Sequence, residues 1–380
     1  MQKSKKIVVL YLVNVDWFFI SHRLPLALEA IRKGYSVHVG CAISDYESLL
    51  KSHGITVHSL NTSRKKNTIF SSISAIRELI ALYKRVKPDL VHLITIKPVL
   101  LGGIAARICK IPGVIIAISG LGFVYTSQDY FAYLRKKFIN FLYYLALSHP
   151  NIRVIFQNRD DLETISSISK IQFKQCVLIQ GSGVEIDRYE YSKPLTTEPI
   201  VLMASRVLRD KGVIEFIQAS ELLKERNISA RFCLAGRLDP DNPASISHSE
   251  LSSVNRKNIV EYLGHVEEMP NLLNRASIIV LPSYREGMPK ILLEASAAGR
   301  AVVTTDVPGC RDAVEHNITG LIVPSRDVEA LANAIAFLVE NPDKLILFGK
   351  AGRELAIKNF NLDRIVAEHF HCYESLLEKI

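Results

Sequence analysis

Several features are missing from this chain of 380 residues. Its six cysteines, Cys41, Cys109, Cys176, Cys233, Cys310 and Cys372, include no Cys-x-x-Cys pair. Most fall in apolar strand or helix patterns, which argues against structural zinc and for reduced, cytoplasmic thiols. No run approaches the ~18–20 apolar residues of a membrane-spanning helix. The start, Lys3-Ser4-Lys5-Lys6 followed by Ile7 to Val13, mimics a short signal peptide. Asp16 interrupts it and no small-residue cleavage site follows, so a first strand is the better reading. No Gly-x-Gly-x-x-Gly follows that strand, which disfavours an NAD-dependent dehydrogenase. Repeats and low-complexity tracts are missing too. No Lys/Arg tract comes with the motif of a nucleic-acid module, so nucleic acid ranks last among partners.

What is present is apolar residue in plenty and an uneven charge. Hydrophobic residues make up 48%, enough for two ordinary domains. The net charge of +9 belongs to the first half. Residues 1–190 hold 25 Lys+Arg against 13 Asp+Glu, and residues 191–380 hold 22 against 25. A basic half suits anionic lipid or a phosphorylated substrate.

Short apolar runs alternate with helical patterns. Strands are expected at Ile7–Val13, Ser36–Ala42, Thr56–Leu60, Leu90–Ile94, Val114–Ile118, Arg153–Phe156 and Val177–Gln180. Between them lie helical stretches at Leu24–Lys33, Ser71–Val86, Val99–Cys109 and Tyr130–Leu147, and from about Asp160. The alternation predicts an α/β fold with a parallel sheet covered on both faces. Its ligands are expected beyond the strand C-terminal ends, after Val13, Ile94 and Ile118. Around Ser192–Pro199 the pattern lapses, and a second alternation starts at Ile200. The expected division is a first domain at 1–190, a linker at 191–199 and a second domain at 200–361. A final helix near 362–380 is free to pack back on the first. Two such domains imply a cleft between them.

The most informative stretch runs from Ser283 to Gly299. It follows the apolar run Ile278–Pro282, a buried strand. Pro289 suits the first turn of a helix, and Gly299 its C′ position. Glu286 then lies in the loop above the helix, and Glu294 about one and a half turns into it. A carboxylate beside helix-terminal N–H groups receives hydroxyls, and the N–H groups favour an anion. A capped surface helix with two solvated glutamates fits the same spacing. A second candidate, Ser205 to Gly212, also follows a strand. Its Arg206 and Lys211 suit a diphosphate, as a planar fork and a point charge. Two solvated loop cations fit equally well.

Taken together the segments are specific. Arg206-x4-Lys211-Gly212, Leu234-Ala235-Gly236, Leu263-Gly264-His265-Val266, Leu281-Pro282-Ser283, Glu286-Gly287-Met288-Pro289, Leu292-Leu293-Glu294-Ala295 and Pro308-Gly309 occur in one order. This half resembles the C-terminal half of a family 4 glycosyltransferase of the GT-B type, two Rossmann-like domains facing across a cleft. The resemblance implies a nucleotide-diphospho-sugar donor and retention of anomeric configuration. Arg206 and Lys211 would contact the diphosphate. Glu286 would bind sugar hydroxyls beside the backbone of Gly287, Met288, Pro289 and Lys290. Glu294 would accept from the ribose, and His265 would lie near the base. The cations would stabilise the leaving diphosphate, so no metal cofactor is expected.

The first half departs from the family pattern. Where many members carry Gly-Gly after strand one, this chain has Asn14 to Arg23. Where many carry a His, it reads Ser119-Gly120-Leu121-Gly122-Phe123. That version resembles a bacterial branch building surface polysaccharides, O-antigen or capsule, on lipid carriers. Ser119 or His22 would supply a polar group there, although His22 equally suits packing. His92 fits a core position, and Lys97, which follows it, would be free to face the expected cleft. Tyr130 to Tyr144 is aromatic-rich and carries Arg135, Lys136 and Lys137. With Arg64, Lys65 and Lys66 these form a candidate surface for anionic lipid, and a solvated turn of a core helix is the alternative.

The expected activity is transfer of a sugar, an N-acetylhexosamine by branch resemblance, from a UDP-sugar to a polyprenyl-diphosphate-linked saccharide. The expected place is the inner face of the cytoplasmic membrane, as a peripheral protein. A UDP-sugar 2-epimerase needs no acceptor groove and would isomerise its donor. A non-catalytic partner would bind a sugar nucleotide without product.

Overall fold

The structure is a computed structural model. It describes residues 6–60, 69–122, 125, 130–194, 196–240, 242, 244–247, 249–251 and 259–379, with the backbone alone at 69–71 and 130–132. Arg64, Lys65 and Lys66 lie outside the described residues.

Two compact units are present: residues 1–182 with 365–380, and residues 183–364. The division falls earlier than the expected boundary at 190, and segment 191–199 belongs to the second unit. Arg353 explains part of this. Its guanidinium donates to the carbonyls of Ile186, Tyr189 and Ala297, tying the crossing segment to the second unit.

The first unit is a seven-stranded parallel sheet. Its strands are β1 (Val8–Val15), β2 (Ser36–Ala42), β3 (Thr56–Ser59), β4 (Leu90–Ile94), β5 (Gly113–Ile118), β6 (Ile152–Phe156) and β7 (Cys176–Leu178). The order is β3-β2-β1-β4-β5-β6-β7. β4 and β5 are buried at every position, as near-continuous Val/Ile/Leu runs require when helices cover both faces.

The first helix, Asp16–Arg32, starts earlier than its expected Leu24. Asp16 is fully buried at the helix N-terminus. Its carboxylate accepts from the N–H of Trp17 (2.8 Å) and Ser44 (2.7 Å) and from the Ser44 hydroxyl. A carboxylate at a helix N-terminus is stabilised by the helix dipole. The expected loop Asn14–Arg23 is therefore mostly helix.

A polar cluster sits inside this unit. Arg23 is 1% exposed. His92 Nδ1 lies 2.6 Å from the Tyr373 hydroxyl, which donates to the Tyr11 hydroxyl at 3.2 Å. His369 Nδ1 contacts the Ile365 carbonyl at 2.8 Å, and its ring stacks 6.0 Å from His92. Tyr373 and His369 come from the helix Leu362–Leu377, whose Ile365, Phe370, Cys372 and Leu376 join the core of Val9, Tyr11 and Val13.

The second unit is a six-stranded parallel sheet. Its strands are β8 (Ile200–Ala204), β9 (Arg231–Ala235), β10 (Glu261–Gly264), β11 (Ile278–Leu281), β12 (Ala301–Thr305) and β13 (Gly320–Val323). Their order is β10-β9-β8-β11-β12-β13. Helices Val213–Glu225 and Val328–Glu340 pack their buried faces on it, with Phe216, Leu223, Leu331 and Ile335 in the core.

Candidate functional site

Strand order locates the site before any side chain is considered. In an open parallel sheet, ligands bind beyond the strand C-terminal ends where the order reverses. In the second sheet that point lies between β8 and β11. The loop after β8 carries Arg206 and Lys211, and the loop after β11 runs from Pro282 to Pro289. Lys211 and Glu286, 75 residues apart in sequence, thus meet at one crevice.

Glu286 is the most constrained side chain there. Its carboxylate pairs with the Lys211 ammonium, and both side chains are largely buried, at 13% and 16% exposure. The Ser283 hydroxyl lies 2.7 Å from Glu286 Oε1 and 3.2 Å from the Asp210 carbonyl. One hydroxyl proton serves one acceptor at a time, and the shorter bond to the carboxylate takes it. The Glu286 N–H donates to the Pro308 carbonyl at 3.1 Å. At Gly309, φ is +80°, and a Cβ would stand 2.5 Å from the Gly287 carbonyl oxygen. Only glycine lets the loop after β12 approach this closely.

The helix Lys290–Ala297 starts one residue later than the Pro289 placement expects. Pro289 is extended (ψ 118°) and sits at the cap position, its carbonyl accepting from the Leu292 N–H at 3.0 Å. No side chain caps this N-terminus. Gly299 holds the expected C′ position: its N–H donates to Ser296, and that of Arg300 to Ala295. Glu294, the fifth residue of the helix, is buried and has the Lys290 ammonium at 3.5 Å. Tyr189 also bonds to it, and burial, then this carboxylate, pushes the phenol pKa up. Sequence reasoning assigned Tyr189 no role; nothing in its spacing pairs it with Glu294.

Arg206 is exposed and faces Asp239 at 3.3 Å. Asp239 belongs to an Asp-x-Asp sequence, Asp239-Pro240-Asp241, that the metal-free expectation overlooks. Asp241 lies outside the described residues. Among the described residues no three His, Cys, Asp or Glu side chains gather as a metal set. His265 is exposed on the turn after β10, and its pKa is lowered by partial desolvation and then by Arg237. Met288 is buried, so it contributes packing and its backbone.

In the first unit the order reverses between β1 and β4. Ser119 follows β5, and its hydroxyl oxygen is buried without a hydrogen-bond partner among the described residues. Lys97 follows β4, and burial lowers the pKa of its amine. His22 lies inside the first helix. Its ring stacks on Phe18 at 4.1 Å and its Nδ1 approaches the Phe18 carbonyl at 3.3 Å, a packing arrangement. His92 is in the core, as its strand position suggests.

The helix Tyr130–Ala146 is apolar on two sides. Ile139, Leu142, Tyr143 and Leu147 pack on the core. Outward, Tyr133, Leu134, Phe138 and Phe141 are exposed, the two phenylalanines by more than half. Arg135, Lys136 and Lys137 are exposed beside them, with the Lys137 ammonium 4.7 Å from the Tyr133 ring centre. No helix among the described residues is long and apolar enough to cross a membrane.

Comparison with known proteins agrees with this layout. Residues 8–159 match the model described as glycosyl transferase 4-like, and residues 187–355 match glycosyl transferases group 1. The chain is 28% identical to an N,N'-diacetylbacillosaminyl-diphospho-undecaprenol alpha-1,3-N-acetylgalactosaminyltransferase of Campylobacter jejuni, covering 95% of this chain and 99% of that one. It is 26% identical to the capsular polysaccharide biosynthesis glycosyltransferase CapM of Staphylococcus aureus, over 95% and 96%. Among solved structures, sucrose-phosphate synthase of Thermosynechococcus elongatus superposes with a TM-score of 0.81 at 20% identity, over 99% and 100%. HepE of Anabaena, solved with UDP and glucose, gives 0.78 at 17%, over 97% and 100%. At these identities the structural likeness speaks for the fold, which is the expected GT-B type.

Proposed function

The chain belongs to the glycosyltransferases that these two family models describe, and from that premise we propose that it extends a lipid-linked saccharide. The donor is a UDP-sugar, an N-acetylhexosamine for preference. The acceptor is a saccharide on polyprenyl diphosphate, and the pathway is assembly of O-antigen or capsule. The relatives whose names specify undecaprenol-diphosphate-linked saccharides or a capsule support this reading.

The observation that carries it is Lys211 and Glu286 held together at the reversal of the second sheet. Transfer breaks the bond between the anomeric carbon and the diphosphate and leaves negative charge on the phosphate oxygens. Lys211 and Arg206 are placed to face that charge, in a setting where preorganised cations act strongly. Each already faces a carboxylate, Glu286 and Asp239. Diphosphate binding therefore exchanges one anion for another, and frees Glu286 to accept from sugar hydroxyls. Glu294 takes the ribose, His265 borders the base, and the backbone of Gly287 to Lys290 lies beside the sugar. The cations do the work of a metal in this reading, and EDTA leaves the rate unchanged. The anomeric configuration is retained.

The acceptor's lipid calls for a membrane surface. The outward face of the helix Tyr130–Ala146 offers apolar anchors beside basic residues, the pairing an anionic interface selects. Binding there places the protein peripherally on the cytoplasmic face of the membrane.

The test is to incubate the protein with a panel of UDP-sugars, with and without a polyprenyl-diphosphate saccharide, and weigh the products. A larger acceptor is expected. An isomerised donor, or nucleotide binding with no product across a broad acceptor panel, would overturn the proposal.

A further inference from the structure

Tyr284 lies between Ser283 and Glu286 and has no part in the binding described above. Its three groups each reach a different element. The N–H donates to the Asp210 carbonyl at 2.9 Å, in the loop after β8. The hydroxyl donates to Oε1 of Glu215, on the helix Val213–Glu225. The ring lies under the Arg326 guanidinium, 4.4 Å from its centre, in the loop after β13.

Each contact is costly to keep. Glu215 is a buried carboxylate whose second oxygen, Oε2, has no hydrogen-bond partner among the described residues. A buried carboxylate is retained only where it is hydrogen-bonded, and the Tyr284 hydroxyl is the bond it has here. Arg326 adopts φ +64°, a left-handed conformation that side chains other than Gly, Asn and Asp seldom take. That backbone holds the guanidinium over the ring. Lys211 stands between the two residues that meet the loop after β11. On one side is Asp210. On the other is Gly212, where an added Cβ would stand 2.1 Å from the Pro282 carbonyl oxygen. The two loops are thus in backbone contact on both sides of Lys211, and Tyr284 closes one of those contacts.

We infer that Tyr284 is a positioning residue for the donor: through Asp210, Glu215 and Arg326 it fixes the spacing between Lys211 and Glu286. The inference rests on the donor reading above. Tyr284 touches no reacting atom. It keeps the cation for the diphosphate and the carboxylate for the sugar at one separation while their mutual ion pair is exchanged for the ligand. Without the brace, the loop after β8 relaxes away from that separation, and diphosphate binding weakens.

The experiment uses the full chain and UDP as the probe, with affinity from calorimetry and the thermal midpoint recorded alongside. Tyr284→Phe is expected to weaken UDP binding about tenfold, the scale of one lost hydrogen bond to a charged group. It also lowers the midpoint, since Glu215 is left buried without a donor. The double variant Tyr284→Phe with Glu215→Leu separates the roles. Replacing both partners by apolar groups is close to neutral for folding. The midpoint should therefore recover while UDP binding stays weak. UDP binding that recovers along with the midpoint would reduce Tyr284 to a stabilising residue and overturn the inference. So would a single variant that binds UDP like the wild type. A wild-type chain that binds none of UDP, GDP and ADP would overturn the donor reading itself, and the brace with it.

Discussion

Both sheets reverse their order at one point and both units seal an arginine inside; what the second shows at its reversal is charge held in ion pairs. In the second unit, ion pairs gather at the loops after β8 and β11 and on the helix that follows: Lys211 with Glu286, Arg206 with Asp239, Lys290 with Glu294. The same unit also seals Arg300 inside, where burial lowers its pKa to about 10. In the first, a cationic group is sealed inside, where Arg23 lies near Tyr11, Tyr373 and two neutral histidines and burial lowers its pKa to about 10. The lesson concerns what a charged residue in a parallel α/β unit is for. Paired and at a strand end, it is poised to exchange partners with a ligand. Sealed with hydroxyls and imidazoles, it holds elements of the same unit together.

The sharpest test of that contrast is at Glu286. Glu286→Ala should reduce transfer by roughly 10²–10³, the scale of losing one preorganised polar group, with the fold intact. Near-normal turnover would remove Glu286 from the chemistry. Lys211→Met should follow at roughly 10² in kcat/KM for the donor. It also leaves Glu286 largely buried and unpaired, so the thermal midpoint should drop as well. A midpoint drop without a rate loss would make the pair structural, like the cluster around Arg23.

The first unit's cluster should show itself in acid. Burial lowers the His369 pKa to about 3 and holds His92 well below its ordinary value. Arg23, from the first helix, lowers both further; Tyr11 and Tyr373 are the other titratable groups facing them. In the unfolded chain these imidazoles take up protons below pH ~6.5. Folded, they do not, so stability is full above that pH and falls as pH drops toward 3. The slope reaches about 1.4 kcal/mol per pH unit for each histidine. The described histidines of the second unit, His265 and His316, are exposed where His92 and His369 are buried. The sole tryptophan, Trp17, lies in the first unit, so its fluorescence reports that unit in urea titrations at successive pH values. His369→Leu should flatten the acid limb, and an unchanged slope would count against it.

Two smaller effects complete the comparison. Phe138→Ser with Phe141→Ser should weaken binding to vesicles containing anionic lipid about tenfold. Neutralising Arg135, Lys136 and Lys137 should make the residual binding insensitive to salt. Vesicle binding that is unchanged in both variants would leave this face without a lipid role. His22→Ala should change transfer less than about threefold, because its ring is engaged with Phe18. A hundredfold loss would return it to the catalytic set.

The second unit was more legible in the sequence than the first, for a physical reason. Its site is built from residues next to strand ends, where a motif and its position in the fold coincide. Arg206, Lys211, Glu286 and Glu294 could be named from their order. Ser283 lay within the same stretch, but its bond to Glu286 is a matter of loop conformation. Tyr189 and Tyr284 act across distances that spacing does not encode. In the first unit, Asn14 to Arg23 read as a loop because Trp17-Phe18-Phe19-Ile20 lacks an amphipathic pattern. Asp16 starts a helix there by gathering Ser44 and Trp17. Arg23 gave no sign of burial, since lone arginines are nearly always solvated.

The helix Leu362–Leu377 also governs the order in which the chain can be finished. Residues 183–364 form the second unit without a break, so it has every part it needs once they leave the ribosome. The first unit, though begun earlier, lacks Ile365, Phe370, Tyr373 and Leu376 until the chain has grown past the whole second unit. Until then the pocket around Val9, Tyr11 and Val13 stays uncovered, and His92 waits for the Tyr373 hydroxyl. The half that is made first is completed last, and a nascent chain stalled before residue 365 carries an open apolar face for chaperones to cover.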